Sequence, residues 1–136
     1  MRNDNQSIGS NAVIWMVVIF AFASSAYTHA PGIKLGSRTV SYTADWDQIF
    51  VTSRMGTFNA IRLEVKKADV HMTRVVVHYR NGTKEVVPVH RRVQAGSGTR
   101  PLNLKGVNRI INRVVFHYTT PWSEVKKARV VLYGIR

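Results

Sequence analysis

The sequence contains no cysteine, which excludes disulfide bridges, thiol nucleophiles and cysteine-built zinc sites. It also removes the covalent staples usual in small eukaryotic secreted domains, so an exported chain of this kind fits a bacterial envelope best. Acidic residues are scarce as well: 7 Asp and Glu stand against 20 Lys and Arg, a formal net charge of +13. A folded body so charged carries a positive field that attracts anionic partners such as nucleic acid, acidic polysaccharide or lipid headgroups. Paired-carboxylate catalysis has little to draw on, because Asp45 and Asp47 are the one close acidic pair. Two carboxylates are too few for a hard cation, so pairing with arginine or an Asx turn is expected there. The pattern of a core-facing amphipathic helix is also missing.

Charge is absent from Asn5 to Ile33, and residues Ala12 to Ala23 (AVIWMVVIFAFA) form an almost unbroken apolar run. Arg2 and the terminal amine precede it, and small and polar residues follow, which is the layout of a signal sequence. Ser24 with Ala26, or Thr28 with Ala30, would serve as a cleavage pattern; Pro31 just after the second favours cleavage at Ala26. The alternative is an uncleaved anchor, with membrane contact through residues 12–30. Lys34 and Arg38 soon after the run are placed against the positive-inside bias, which keeps that alternative open. Residues 1–30 are therefore read as a signal peptide or anchor helix and residues 31–136 as one domain. Arg2 and Asp4 cancel, so the domain carries the full +13.

Within that domain, β-branched and aromatic residues alternate with polar ones between turn residues. This predicts strands near 38–43, 49–53, 58–66, 73–80, 84–89, 101–104, 110–119 and 127–133. Asn81-Gly82 between two alternating runs predicts a hairpin with a two-residue type I′ turn. Asn81-Gly82-Thr83 also spells a glycosylation sequon, which matters only in a eukaryotic host. Short strands at such spacing predict an all-β fold: a two-sheet antiparallel β-sandwich, jelly-roll-like, preceded by the hydrophobic helix.

A phrase recurs as Arg74-Val-Val-Val-His78-Tyr79, as Arg113-Val-Val-Phe-His117-Tyr118 and, more weakly, as Arg129-Val-Val-Leu-Tyr133. Successive strand side chains point to opposite faces, so each phrase divides in two. Ile61, Leu63, Val65, Val75, Val77, Tyr79, Val114, Phe116, Tyr118, Val130 and Leu132 form the predicted core. The outward set carries Arg62, Arg74, His78, Arg113, His117 and Arg129, a candidate ligand-binding face for anions, because guanidinium groups grip phosphate, sulfate and carboxylate bidentately. The bland alternative is an ordinary solvated face, with arginine stems covering Val76 and Val115. Beside arginines, His78 and His117 should titrate below the ordinary imidazole range.

Other chemistry is not indicated. The histidines are scattered, and no His-x-x-x-His on a helix, glycine-rich phosphate loop or Gly-x-Ser-x-Gly occurs. No catalytic residue, metal site or cofactor is expected. His90-Arg91-Arg92, Lys66-Lys67 and Lys126-Lys127 add basicity without a recognisable nucleic-acid module, so specific nucleic-acid binding is not expected.

The domain resembles a family of small exported bacterial proteins known only as a domain of unknown function. The resemblance spans about Leu35 to Ile135. It rests on Leu35-Gly36, Asp45-x-Asp47-x-Ile49, Phe58-x-Ala60-Ile61-Arg62-Leu63, Val77-x-Tyr79-Arg80-Asn81-Gly82, Gly98-x-Arg100-x-Leu102-x-Leu104-x-Gly106, Arg109-x-Ile111 and Val131-x-Tyr133-Gly134. Asn103 and Asn108 depart from the acidic or glycine-like residues expected there. The resemblance implies an envelope or secreted β-sandwich and carries no activity.

These readings converge on an extracytoplasmic (periplasmic or secreted) binding module, non-enzymatic, for an anionic polymer, lipid headgroup or protein partner. The alternative is a membrane-anchored structural or assembly protein.

Overall fold

Period-two alternation is realised as strands along most of the domain in the computed structural model, which describes residues 32–41, 44–120 and 127–136. The expected signal or anchor helix lies outside the described residues. Among the described residues, no helix is long and apolar enough to cross a membrane.

The strands are β1 (Ile33–Thr39), β2 (Trp46–Phe50), β3 (Ala60–Lys66), β4 (Val70–Tyr79), β5 (Lys84–Val93), β6 (Ser97–Gly98), β7 (Leu102–Asn103), β8 (Ile111–Thr119) and β9 (Arg129–Ile135), with one 3-10 turn at Ser53–Met55. They form two antiparallel sheets, ordered β1-β9-β3-β6, with β7 also on β3, and β2-β8-β4-β5. Both sheets turn their inner rows into one core. Ile61, Leu63, Val65, Val130 and Leu132 from the first meet Val75, Val77, Tyr79, Val114, Phe116 and Tyr118 from the second. Every predicted core position is buried, so the all-β fold with two antiparallel sheets stands as expected.

The hairpin differs from its prediction. Gly82 N–H donates to Tyr79 O at 3.1 Å and Tyr79 N–H to Thr83 O at 2.9 Å. Only Gly82 has a positive φ, +90°, so the loop has three residues, a type I turn closed by a left-handed glycine. The cause is the Asn81 side chain. Its Oδ1 accepts from Thr83 N at 3.0 Å and from the Thr83 hydroxyl at 2.6 Å, holding Asn81 outside the conformation that type I′ requires.

The register of the second sheet fans open near its middle. Tyr118 and His117, adjacent on β8, pair with Met72 and Arg74 on β4, which enclose Thr73. Those two in turn pair with Arg91 and Pro88 on β5, which enclose Val89 and His90. Each strand thus carries one residue more than its neighbour, and such bulges bend and twist a sheet. Thr73 is where β4 changes parity: Val70 and Met72 are buried before it, Val75, Val77 and Tyr79 after it. Its hydroxyl donates to His117 O at 3.1 Å.

Candidate anion-binding face

Antiparallel partners project to the same side of a sheet, so register lays out the outer face of the second sheet in rows. Across β2, β8, β4 and β5 the first row reads Trp46, His117, Arg74, Pro88. The second reads Gln48, Val115, Val76, Val86, and the third Phe50, Arg113, His78, Lys84. A band of valine therefore crosses the middle, cations stand on either side, and two aromatic rings stand on the β2 edge.

No position in these rows is acidic. Arg74 and Lys84 are exposed, and the ion pairs among the described residues, Arg38–Asp47, Arg62–Glu64 and Arg92–Asp69, leave Arg74, Lys84 and Arg113 without a carboxylate. Arg113 donates instead to the Gln48 amide oxygen at 3.1 Å, which steadies the guanidinium without neutralising it. Trp46 and Phe50 are 49% and 64% exposed.

The two histidines titrate low, in the direction expected beside arginines, although the leading cause is another. Partial burial lowers His78 first, then the charges of Arg113 and Lys84. For His117 burial again leads, followed by Arg74, with Asp45 pulling weakly the other way. Both are therefore neutral at pH 7, and the face carries its charge on arginine and lysine.

The six residues expected on one face divide between two. Arg74, His78, Arg113 and His117 are brought together here, as cross-strand pairs Arg74 with His117 and His78 with Arg113. Arg62 and Arg129 lie on the other sheet, whose outer face looks the opposite way. Alternation tells inside from outside, and in a two-sheet fold there are two outsides. On that second face Arg62 binds Glu64 at 2.6 Å and stacks over Tyr133 at 4.8 Å, whereas Arg129 donates to the Ser37 hydroxyl at 2.7 Å and, with Lys66 beside it in register, has no carboxylate among the described residues.

Trp46, Phe50 and Lys84 were missed as members of the face. The signal was present in Trp46-Asp-Gln-Ile-Phe50, whose alternation buries Ile49 and exposes both rings, but the predicted strand began only at Ile49. Asp47 finds the expected arginine, Arg38, at 3.0 Å. Among the described residues no group of three or more His, Asp or Glu side chains is placed to hold a metal ion.

Fold and face together define a small all-β domain with two antiparallel sheets and an outer face whose cations have no carboxylate partner among the described residues and stand near two exposed aromatics. Residues 13–134 match the family described as a domain of unknown function, DUF2541, and the chain belongs to it. No curated protein and no solved structure matches the chain.

Proposed function

We propose that the protein is a non-enzymatic binding module of the bacterial envelope, working outside the cytoplasm, whose second-sheet face takes an anionic partner. The observation that carries this reading is the set Arg74, Arg113 and Lys84, which pair with no carboxylate among the described residues, on a face whose described strand positions include no acid. An ordinary solvated face mixes signs. The valine band and the two rings add affinity for the carbon skeleton of the partner, so an acidic polysaccharide fits better than a bare ion. Residues 1–30 bring the domain to that compartment as a cleaved signal peptide. The family match starts at residue 13, inside the apolar run, which supports the run as a regular companion of the domain. The order β1-β9-β3-β6, with β7 also on β3, beside β2-β8-β4-β5 supports reading the nine strands as jelly-roll-like.

Retention on immobilised heparin tests the binding. The full chain should stay bound at about 0.5 M salt, where diffuse surface charge is largely screened. The double variant Arg74→Ser, Arg113→Ser should elute early, and Arg62→Ser with Arg129→Ser should elute much like the parent. Equal effects of the two pairs would refute the assignment to this face. Mass measurement of the mature chain decides between cleavage and the membrane-anchored alternative.

A further inference from the structure

A second basic feature lies away from this face, at the margin where the register fan is widest. Pro88, Val89, His90 and Arg91 of β5 and Thr99, Arg100 and Leu102 around β6 and β7 enclose a cleft of about 250 Å³. Val89 and Leu102 are partly buried against the core and supply an apolar wall. The Thr99 hydroxyl is already engaged, accepting from Leu63 N–H at 3.1 Å. Arg91, Arg100 and His90 are not: none forms an ion pair or side-chain hydrogen bond among the described residues. No acidic residue lines the cleft.

The backbone here is also unusual. His90 has φ of +45°, in the left-handed region that residues with a side chain enter only at an energetic cost. Bulges and strained residues of this kind gather at binding sites, where they re-aim side chains. Arg91 pairs in register with the buried Met72, so it lies on the inner side of β5, facing the cleft, where a regular β-sandwich margin would place an apolar residue.

We propose that this cleft binds a phosphate or sulfate monoester. Arg91 and Arg100 hold the oxyanion, each guanidinium offering paired donors to two oxygens, and Val89 and Leu102 receive the carbon body of the ester. The outer face of the second sheet spans four strands and suits a polymer; the cleft has room for one headgroup. The two sites share no residue apart from Pro88.

Titration of the full chain in non-ionic detergent, followed by backbone amide NMR, tests the proposal with phenyl phosphate, inorganic phosphate and sodium chloride at matched ionic strength. Phenyl phosphate should give saturable shifts at the amides of Val89, His90, Arg91, Thr99, Arg100 and Leu102, and inorganic phosphate weaker ones at the same amides. Arg91→Ala and Arg100→Ala should each weaken phenyl phosphate by about tenfold, and Arg91→Gln and Arg100→Gln replace them if either alanine variant loses the parent spectrum. The double variant Arg74→Ser, Arg113→Ser should bind phenyl phosphate like the parent, which separates this site from the face. A response equal to that of chloride, or one unchanged by loss of both Arg91 and Arg100, overturns the site. Equal affinity for inorganic phosphate overturns its assignment to an ester.

Discussion

The hydroxyl of Tyr118, in the core at the end of β8, donates to Asp47 Oδ2 at 2.8 Å. Asp47 Oδ1 accepts from Arg38 Nε at 3.0 Å, and Arg38 belongs to β1 of the other sheet. One half-buried carboxylate thus ties the two sheets at their β1–β2 margin. Replacing Asp47 by Ala takes the charged acceptor from a buried hydroxyl, leaving it the Ser41 carbonyl at 3.1 Å. We expect a loss of about 1–2 kcal/mol. Arg38→Ala removes only an exposed partner and should cost about 0–1 kcal/mol. Urea denaturation checks the order, and a larger loss for Arg38→Ala would contradict it.

A second tyrosine makes the same arrangement at the far end of β4. The Tyr79 hydroxyl donates to Glu85 Oε1 at 2.5 Å, and the Arg109 guanidinium lies 3.6 Å over its ring. Burial first, and then the neighbouring carboxylate, hold both phenols well above the ordinary range, with Arg109 opposing weakly at Tyr79. The sign of the pH dependence follows from linkage. Unfolded tyrosine loses its proton near about pH 10, while the native phenols keep theirs. The stabilisation is therefore complete below that pH and falls as pH rises beyond it. Denaturation midpoints should drop steeply above about pH 10, and the double variant Tyr79→Phe, Tyr118→Phe should show a shallower drop. An unchanged slope in that variant would show that other groups govern alkaline unfolding.

Much of this architecture is legible in the chain. Core positions such as Val75, Phe116 and Leu132 follow from alternation because a strand has only two sides, and one must be apolar. Three things escape such reading. Thr73 switches the parity of β4, so Val70 and Met72 fall out of phase with Val75 and look like loop. Asn81 redirects its turn through side-chain bonds to Thr83. Arg62 and Arg129 carry the same outward signature as Arg74 and Arg113, and the separation comes from strand order, which is fixed by long-range pairing. The candidate face was half legible for that reason: its four central residues are in the repeated phrase, Trp46 and Phe50 show their exposure in the alternation of β2, and only strand pairing puts them and Lys84 on this face.

Gly134 on β9 marks a close approach that only an absent side chain permits. A Cβ at that position would stand 2.6 Å from Cδ1 and Cε1 of Phe58 and 3.0 Å from Cδ1 of Leu35. Phe58 is fully buried, so its ring can give way only by displacing its core neighbours. Gly134→Ala should therefore overpack the first sheet and destabilise the protein by about 1–3 kcal/mol. Thermal unfolding measures it, and a variant as stable as the parent would mean that the Phe58 ring can shift within the core.

The face on the second sheet should respond to acid. His78 and His117 are held below the ordinary imidazole range by partial burial and by Arg113, Lys84 and Arg74. They gain protons at a lower pH than an ordinary imidazole does. Each proton adds a positive charge between existing cations, which costs energy in the free protein and is favoured when an anion occupies the face. Affinity for heparin should therefore rise as pH falls from 7 to about 5, where imidazoles gain charge, and the parent should release protons less readily when bound. Stability runs the other way. The unfolded chain binds these protons more tightly than the native one, so the free protein loses stability as pH drops through the same window. The double variant His78→Asn, His117→Asn should bind heparin like the parent at neutral pH and lose most of the acid enhancement. Binding that is independent of pH in the parent, or an enhancement that survives in the variant, would remove the histidines from the face's function and leave its charge to arginine and lysine alone.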